Sequence, residues 1–435
     1  MSFFPSVAKN TTAQLAGRGG AVLAAFVTTA VLTRLLGTSG YGNYIFILSL
    51  VFFFVSVADW GTSLIFVRES VRSGAEEKKF YGNALLFRLL LAILSLIVMN
   101  LVVLVLPPLQ SLALPLQAAS SLLILISLKT SAHIIFQTKL KFEFIALTDV
   151  FVSFTFLFLI LLFFPYLSIT FNLLNVIYAF VAANLLGTIF ALYLSTKLSQ
   201  VSFRLDKDIL KKILFAAMPT GALLFVFSIY NRLDIFLLQI LQGPEPVGIY
   251  GLAYKVHDNL ILGSAYLAAA LFPIISVLAG KPNTFDQLKN IYRKIFDILL
   301  VAGVVVSVST YFLAPWIVSA IGGEAFAGSV VALRILVFAT LLAYFNHLNG
   351  YMIIALGKQK ISLIIAVIAL SWNLGLNLVL IPYFSYMAAA AVTIATEGMV
   401  LLLTSYYLAR NFSLTPGMTL FSTLKDLVRT RGKIF

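Results

Sequence analysis

The chain has 435 residues, of which 61% are hydrophobic and 11% charged, with 30 Lys and Arg against 16 Asp and Glu. A soluble globular domain carries about 25% charged residues, so this composition excludes one and indicates a polytopic membrane protein. The lack of cysteine excludes a disulfide framework, a thiolate metal site and a cysteine nucleophile; with only His133, His257 and His347 scattered in apolar sequence, no metal centre and no cofactor are expected.

Hydrocarbon cannot satisfy backbone polar groups, so each crossing needs a helix of about 20 apolar residues. Twelve such runs fall near residues 13–36, 43–65, 83–106, 115–137, 144–164, 173–196, 213–241, 248–279, 296–321, 329–356, 361–382 and 387–409. The first is too long for a signal peptide and lacks a small-residue cleavage site. The 248–279 run is long enough to tilt or break. With a cytoplasmic N-terminus, the inward connections and both termini hold most of the Lys and Arg, while the outward connections (GTSGYGN, PPLQSLAL, PYLSITFN, QGPEPV, GGEAFAG, YFSY) hold none. That asymmetry places both ends in the cytoplasm. The net charge of +14 is therefore mainly a topology signal, and no nucleic-acid partner is expected.

In span 1, Gln14, Arg18, Ala25 and Thr29 share a helical face, either the wall of a water-filled cavity or a small-residue packing seam. Arg34 closes the span and leads into a glycine-rich turn. Span 2 ends in ADWGTSLIFVRES, where Trp60 reads as an interfacial anchor and Arg68 to Phe80 as a solvated turn or surface helix. Arg88, shallow in span 3, is expected to snorkel, as are Arg18 and Arg334; Lys129 in span 4 has less freedom to do so, and Asp149 lies at shallow depth in span 5. Between spans 6 and 7, Phe203, Leu205, Ile209 and Leu210 alternate with charge, the pattern of an interfacial amphipathic helix.

The second half repeats the first. Gly243, Gly248 and Tyr250 stand 206 positions after Gly37, Gly42 and Tyr44, and each half has six spans, a long inward loop after its second and a short one after its fourth. The expected organisation is an N-terminal lobe over 1–196, a cytoplasmic linker helix over 197–212, a C-terminal lobe over 213–409 and an amphipathic tail over 410–435. An even number of spans per half makes the repeats parallel, with the cleft between them as the default path. Span 7 sets Ser228, Asn231, Arg232, Gln239 and Gln242 on one side of a single helix, with Asp234 about 200° round from Arg232. Span 8 carries Lys255, Asp258 and Asn259; Asn346, Asn349, Asn373 and Asn377 read mainly as interhelical glue; Glu397 lies in span 12.

No Walker loop, nucleophile constellation or metal-ligand cluster is present, which disfavours ATP-driven pumping, and outward loops of about eight residues disfavour an enzyme. What remains is charge. A cation at the bilayer centre costs ~2.5–3.5 kcal/mol on insertion scales, so it normally faces a cavity or a partner. Arg34, Lys129, Arg232 and Lys255 are the candidates, with Asp149, Asp234, Asp258 and Glu397 as balancing acids. Such a cleft suits an anionic cargo such as a phosphate-linked lipid.

Several stretches, TRLLGTSGYGNYIF (Thr33 to Phe46), FVRES (Phe66 to Ser70), RLDIFLLQ and VGIYGLAYK (Arg232 to Lys255), FPIIS (Phe272 to Ser276), ALGKQK (Ala355 to Lys360) and NLVLIPYFSYMAAAAVTIATE (Asn377 to Glu397), occur in an order that resembles bacterial polysaccharide flippases of the Wzx type, in the superfamily that also holds multidrug and toxic-compound extruders and the lipid II flippase. The resemblance implies an all-α, MATE-like fold of twelve transmembrane helices in two six-helix lobes. It also implies a cavity lined mainly by spans 1, 2, 7 and 8, and rocker-switch flipping of an undecaprenyl-diphosphate oligosaccharide to the outer face of the cytoplasmic membrane. Under that reading Arg18, Arg34, Arg232 and Lys255 attract the diphosphate, and Asp234, Asp258 and Glu397 are candidates for ion coupling or structural pairing. The coupling partner would be H+, Na+ or the membrane potential, with polysaccharide polymerase or assembly proteins as candidate partners. The family tends to keep a glycine in the turn after span 11, which Phe384, Ser385, Tyr386 and Met387 fill here. The alternatives are a cation-coupled multidrug extruder of the same fold and a membrane scaffold for sugar assembly.

Overall fold

The computed structural model describes residues 3–73, 77–166, 172–201, 206–280 and 282–417. Among them the chain forms α1 (Phe3–Asp59), α2 (Thr62–Ser73), α3 (Glu77–Val105), α4 (Ala113–Thr138), α5 (Phe142–Tyr166), α6 (Leu173–Thr196), α7 (Lys207–Tyr230), α8 (Leu233–Gln242), α9 (Pro244–Ala279), α10 (Phe285–Gly322), α11 (Gly328–Ala355) and α12 (Gln359–Phe412). Nine of the described helical segments are long and apolar enough to cross a membrane, and two of them, Gly19–Val71 and Gln359–Phe412, each hold two of the expected spans. The protein is thus an all-α, multi-pass membrane protein. The long run at 248–279 does not break: α9 is continuous over 36 residues.

The two turns matched by sequence have the same backbone. Gly37, inside α1, has φ 66 and ψ −175, and Gly243, between α8 and α9, has φ 85 and ψ −173. A residue without a Cβ holds that conformation at little cost. The turn inside α12 is made by Ser385 at φ 51 and ψ −134. That region is nearly glycine-only, so serine makes this turn at a strain of about 1–3 kcal/mol.

By contacts the chain divides into Met1–Arg232 and Leu233–Phe435. The boundary lies inside the seventh span because α7 packs on the first unit. Residues 197–212 do not form a separate linker helix in their described part, while Phe203 and Leu205 lie outside the described residues. Instead the Asp206 carboxylate accepts from the Asp208 and Ile209 N–H groups at 3.0 and 3.2 Å, capping a helix that runs on to Tyr230. Burial drives this docking. Ile209, Leu210, Ile213 and Ala217 pack with Ile65, Phe66, Phe80 and Tyr81. The buried Glu69 joins them electrostatically, meeting Lys212 at 2.6 Å and Arg68 at 3.0 Å.

Further along, α7 meets an interruption of span 2. Trp60 and Gly61 have φ of 42 and 72, which ends α1 and restarts the chain as α2. The crossing is close: a Cβ on Gly61 would stand 3.0 Å from Thr220, and one on Gly221 would stand 2.4 Å from the Trp60 ring. The Trp60 ring lies on Gly221 and 5.9 Å from Phe225. A branched side chain at Gly221 overpacks this contact, so Gly221→Val is expected to cost about 1–3 kcal/mol, read as a lower melting temperature of the purified protein.

In the second unit, α10, α11 and α12 close around Leu288, Tyr292, Leu299, Phe345, Leu348 and Leu408. Asn349 ties the three together. Its Nδ2 donates to Thr404 and Ser405, each at 3.0 Å, and its Oδ1 accepts from the Tyr292 hydroxyl at 2.9 Å. Asn373 donates to Thr396 at 3.2 Å and accepts from Asn377 at 2.9 Å, so these asparagines do act as glue between apolar segments. The expected amphipathic tail beyond residue 417 lies outside the described residues.

Candidate functional site

The charged groups inside the spans sort by whether a partner of opposite sign accompanies them. Arg88 has the most complete set. It is 2% exposed and does not snorkel, contrary to its expected behaviour. Its guanidinium bonds to Asp59 at the end of α1, Ser63 on α2 and Thr130 on α4, and Ser63 also donates to Asp59. One buried arginine on α3 thus fastens three other helices at the interruption of span 2. Lys129 is likewise paired, with Asp149 at 3.1 Å, so it leaves the set of candidate cargo cations. Arg334 lies over the Tyr311 ring at 5.0 Å and donates to the Tyr311 carbonyl at 3.2 Å.

Arg34 is exposed on α1, three residues before the Gly37 turn. Arg18 lies in the same helix, but its side chain is outside the described residues. Arg232 is half-buried in a two-residue interruption between α7 and α8, where its N–H donates to the Ile229 carbonyl at 3.1 Å. Among the described residues its side chain makes no hydrogen bond or ion pair. The interruption also corrects the helical-wheel reading of span 7. With the helix broken before Leu233, neither the 200° separation from Asp234 nor the shared polar face from Ser228 to Gln242 applies.

Two acids of the second unit, Asp234 and Glu397, have structural partners. Asp234, 5% exposed, lies in the first turn of α8 and accepts from the Ile235 N–H at 2.9 Å and from the Tyr250 hydroxyl; Tyr250 also lies 3.3 Å from Thr393 on α12. An anion in a helix's first turn is favoured by the N–H groups there. Glu397 accepts from the Asn346 amide at 2.6 Å. Lys255 and Asp258 are half-buried one turn apart on α9, and the Lys255 carbonyl accepts from Asn259 at 2.7 Å. The histidines serve packing: His257 meets Thr340 and His347 meets Ser264, both at 2.8 Å, and His133 meets Thr148 at 3.1 Å. Among the described residues no group of three His, Asp or Glu is placed to hold a metal ion.

Sequence reasoning missed the Arg88 cluster and the Asp234–Tyr250 bond. The first joins residues 29 and 42 positions apart, which no local periodicity links. The second was half visible, since Tyr250 marks the repeat, but nothing in the spacing directs it to Asp234.

Residues 7–279 match the family model described as polysaccharide biosynthesis protein. The chain belongs to that family. Residues 219–379 also match the MatE model. No curated relative matches in sequence. Among solved structures, the lipid II flippase MurJ in an inward closed conformation superposes with a TM-score of 0.74 at 15% identity, covering 98% of this chain and 93% of that one. An inward-facing multidrug resistance MATE family transporter of the MOP superfamily gives 0.73 at 16% identity, over 90% of this chain and 94% of that one. A MOP superfamily transporter from Pyrococcus furiosus, described as having a binding pocket of reversed polarity, gives 0.62 at 15% identity over 98% and 96%. The MATE-like fold class expected from sequence is therefore the fold of this chain. These neighbours are transporters and a flippase, not enzymes.

Proposed function

We propose that this member of the polysaccharide biosynthesis family is a flippase. It would carry an undecaprenyl-diphosphate-linked oligosaccharide from the inner to the outer leaflet of the cytoplasmic membrane by alternating access, for cell-surface polysaccharide. The observation that carries the reading is Arg232. Arg88 and Lys129 keep their charge in the membrane with a carboxylate beside each, whereas Arg232 keeps its charge at a helix interruption without one among the described residues. A guanidinium held that way has its fork of donors available for a diphosphate. Arg18, Arg34 and Lys255 are assigned to the same anionic group, Asp258 is a candidate for ion coupling, and Asp234 and Glu397 fit structural pairing. The basic inner connections support a topology with both termini in the cytoplasm.

The MatE match over 219–379 supports a second reading, a cation-coupled multidrug extruder. Proteoliposomes separate the two. A fluorescent undecaprenyl-diphosphate oligosaccharide is expected to become accessible to a quencher on the far side, with no uptake of a lipophilic cationic dye. Dye transport without lipid flipping would instead assign the extruder.

A further inference from the structure

Resting on the flippase reading, we propose that Asp59 and Trp60 form a sugar subsite in the first unit, taking one pyranose ring of the cargo glycan. Trp60 has φ 42, a conformation costly for a bulky aromatic residue and one that persists only where the surroundings impose it. Here they do. Asp59 before it is tied to Arg88 and Ser63, and Gly61 after it lies against Thr220 and Gly221. The indole is held on α7 next to Phe225, at 5.9 Å, yet stays half-buried rather than enclosed.

The carboxylate beside it is open on one side. Asp59 spends Oδ1 on both Arg88 and Ser63, its Oδ2 makes no hydrogen bond among the described residues, and its side chain is 23% exposed. Within an apolar span, an open carboxylate oxygen faces water or a polar cargo rather than lipid. A pyranose offers an apolar C–H face and a rim of hydroxyls, which an aromatic plane beside a free carboxylate oxygen complements together. Because Arg88 already neutralises the acid, the pair presents no net charge to hold a diphosphate or a cationic ligand, while the open oxygen still accepts from a hydroxyl.

The test uses the full chain with Trp316→Phe and Trp372→Phe, two residues that are 67% and 47% exposed, which leaves Trp60 as the sole tryptophan. It is titrated with undecaprenyl diphosphate, sugar-free or carrying glucose, galactose or N-acetylglucosamine, and with a lipophilic cationic dye. At least one glycolipid is expected to shift Trp60 emission and to bind about tenfold more tightly than the sugar-free lipid. Trp60→Leu, which keeps apolar volume, and Asp59→Asn are expected to erase that preference, and Trp60→Tyr to keep it. The subsite is overturned, with the flippase reading intact, if the folded parent binds all the lipids equally or if both variants keep the preference. A Trp60 response to the dye alone also overturns it. A folded parent that binds none of the lipids overturns both.

Discussion

Arg88→Ala is expected to destabilise the protein by about 3–5 kcal/mol, enough to empty the membrane of folded protein. The reason is Asp59. Removing the guanidinium leaves a carboxylate at a helix interruption with Ser63 as its remaining partner, together with the broken backbone of span 2 that the cluster holds. The bond that the Thr130 hydroxyl on α4 accepts from Arg88 is lost as well, and with it the tie from α3 to Ser63 on α2. Replacing both charges, as in Asp59→Asn with Arg88→Met, is expected to recover most of the loss, because a neutral pair avoids the stranded charge. The measurement is thermal unfolding in detergent together with the amount of protein in the membrane. Equal losses in the single and double variants would mean that packing, not charge pairing, is what Arg88 supplies.

Much of the fold was legible because the bilayer imposes a simple rule on sequence. Apolar runs of sufficient length became helices, and the glycines at 37 and 243 turned the chain where the repeat placed them. The interruptions were not legible, and their causes are tertiary. Span 2 breaks at Trp60, a residue with no intrinsic preference for a positive φ, because α7 brings Gly221 against its ring. Span 7 breaks at Asn231 and Arg232 with neither glycine nor proline present. The polar pair was the available signal, and it read instead as part of a helical face.

The site divides in the same way. Composition and spacing identified which charges lie inside spans, but depth along a helix does not say which way a side chain turns. Arg88 looked shallow enough to reach the surface and turned inward to Asp59; Lys129 looked stranded and found Asp149 on the next helix. Partners on separate spans leave no trace in one sequence, so the cations that remained as cargo contacts could be narrowed only once these pairs were visible.

The central claim is that Arg232 and Lys255 serve the diphosphate of a lipid-linked glycan. A charged hydrogen bond contributes about 1.5–3 kcal/mol, so losing either cation should slow flipping by about 10- to 100-fold, and losing both should bring it to background. Arg232→Lys keeps the charge without the planar fork and should fall between. The most direct measurement is the flipping rate of an undecaprenyl-diphosphate oligosaccharide in proteoliposomes holding equal amounts of folded parent, Arg232→Gln, Lys255→Gln or the double variant. The account predicts a graded fall to background with unchanged melting temperatures; flipping at the parent rate in all three variants would contradict it.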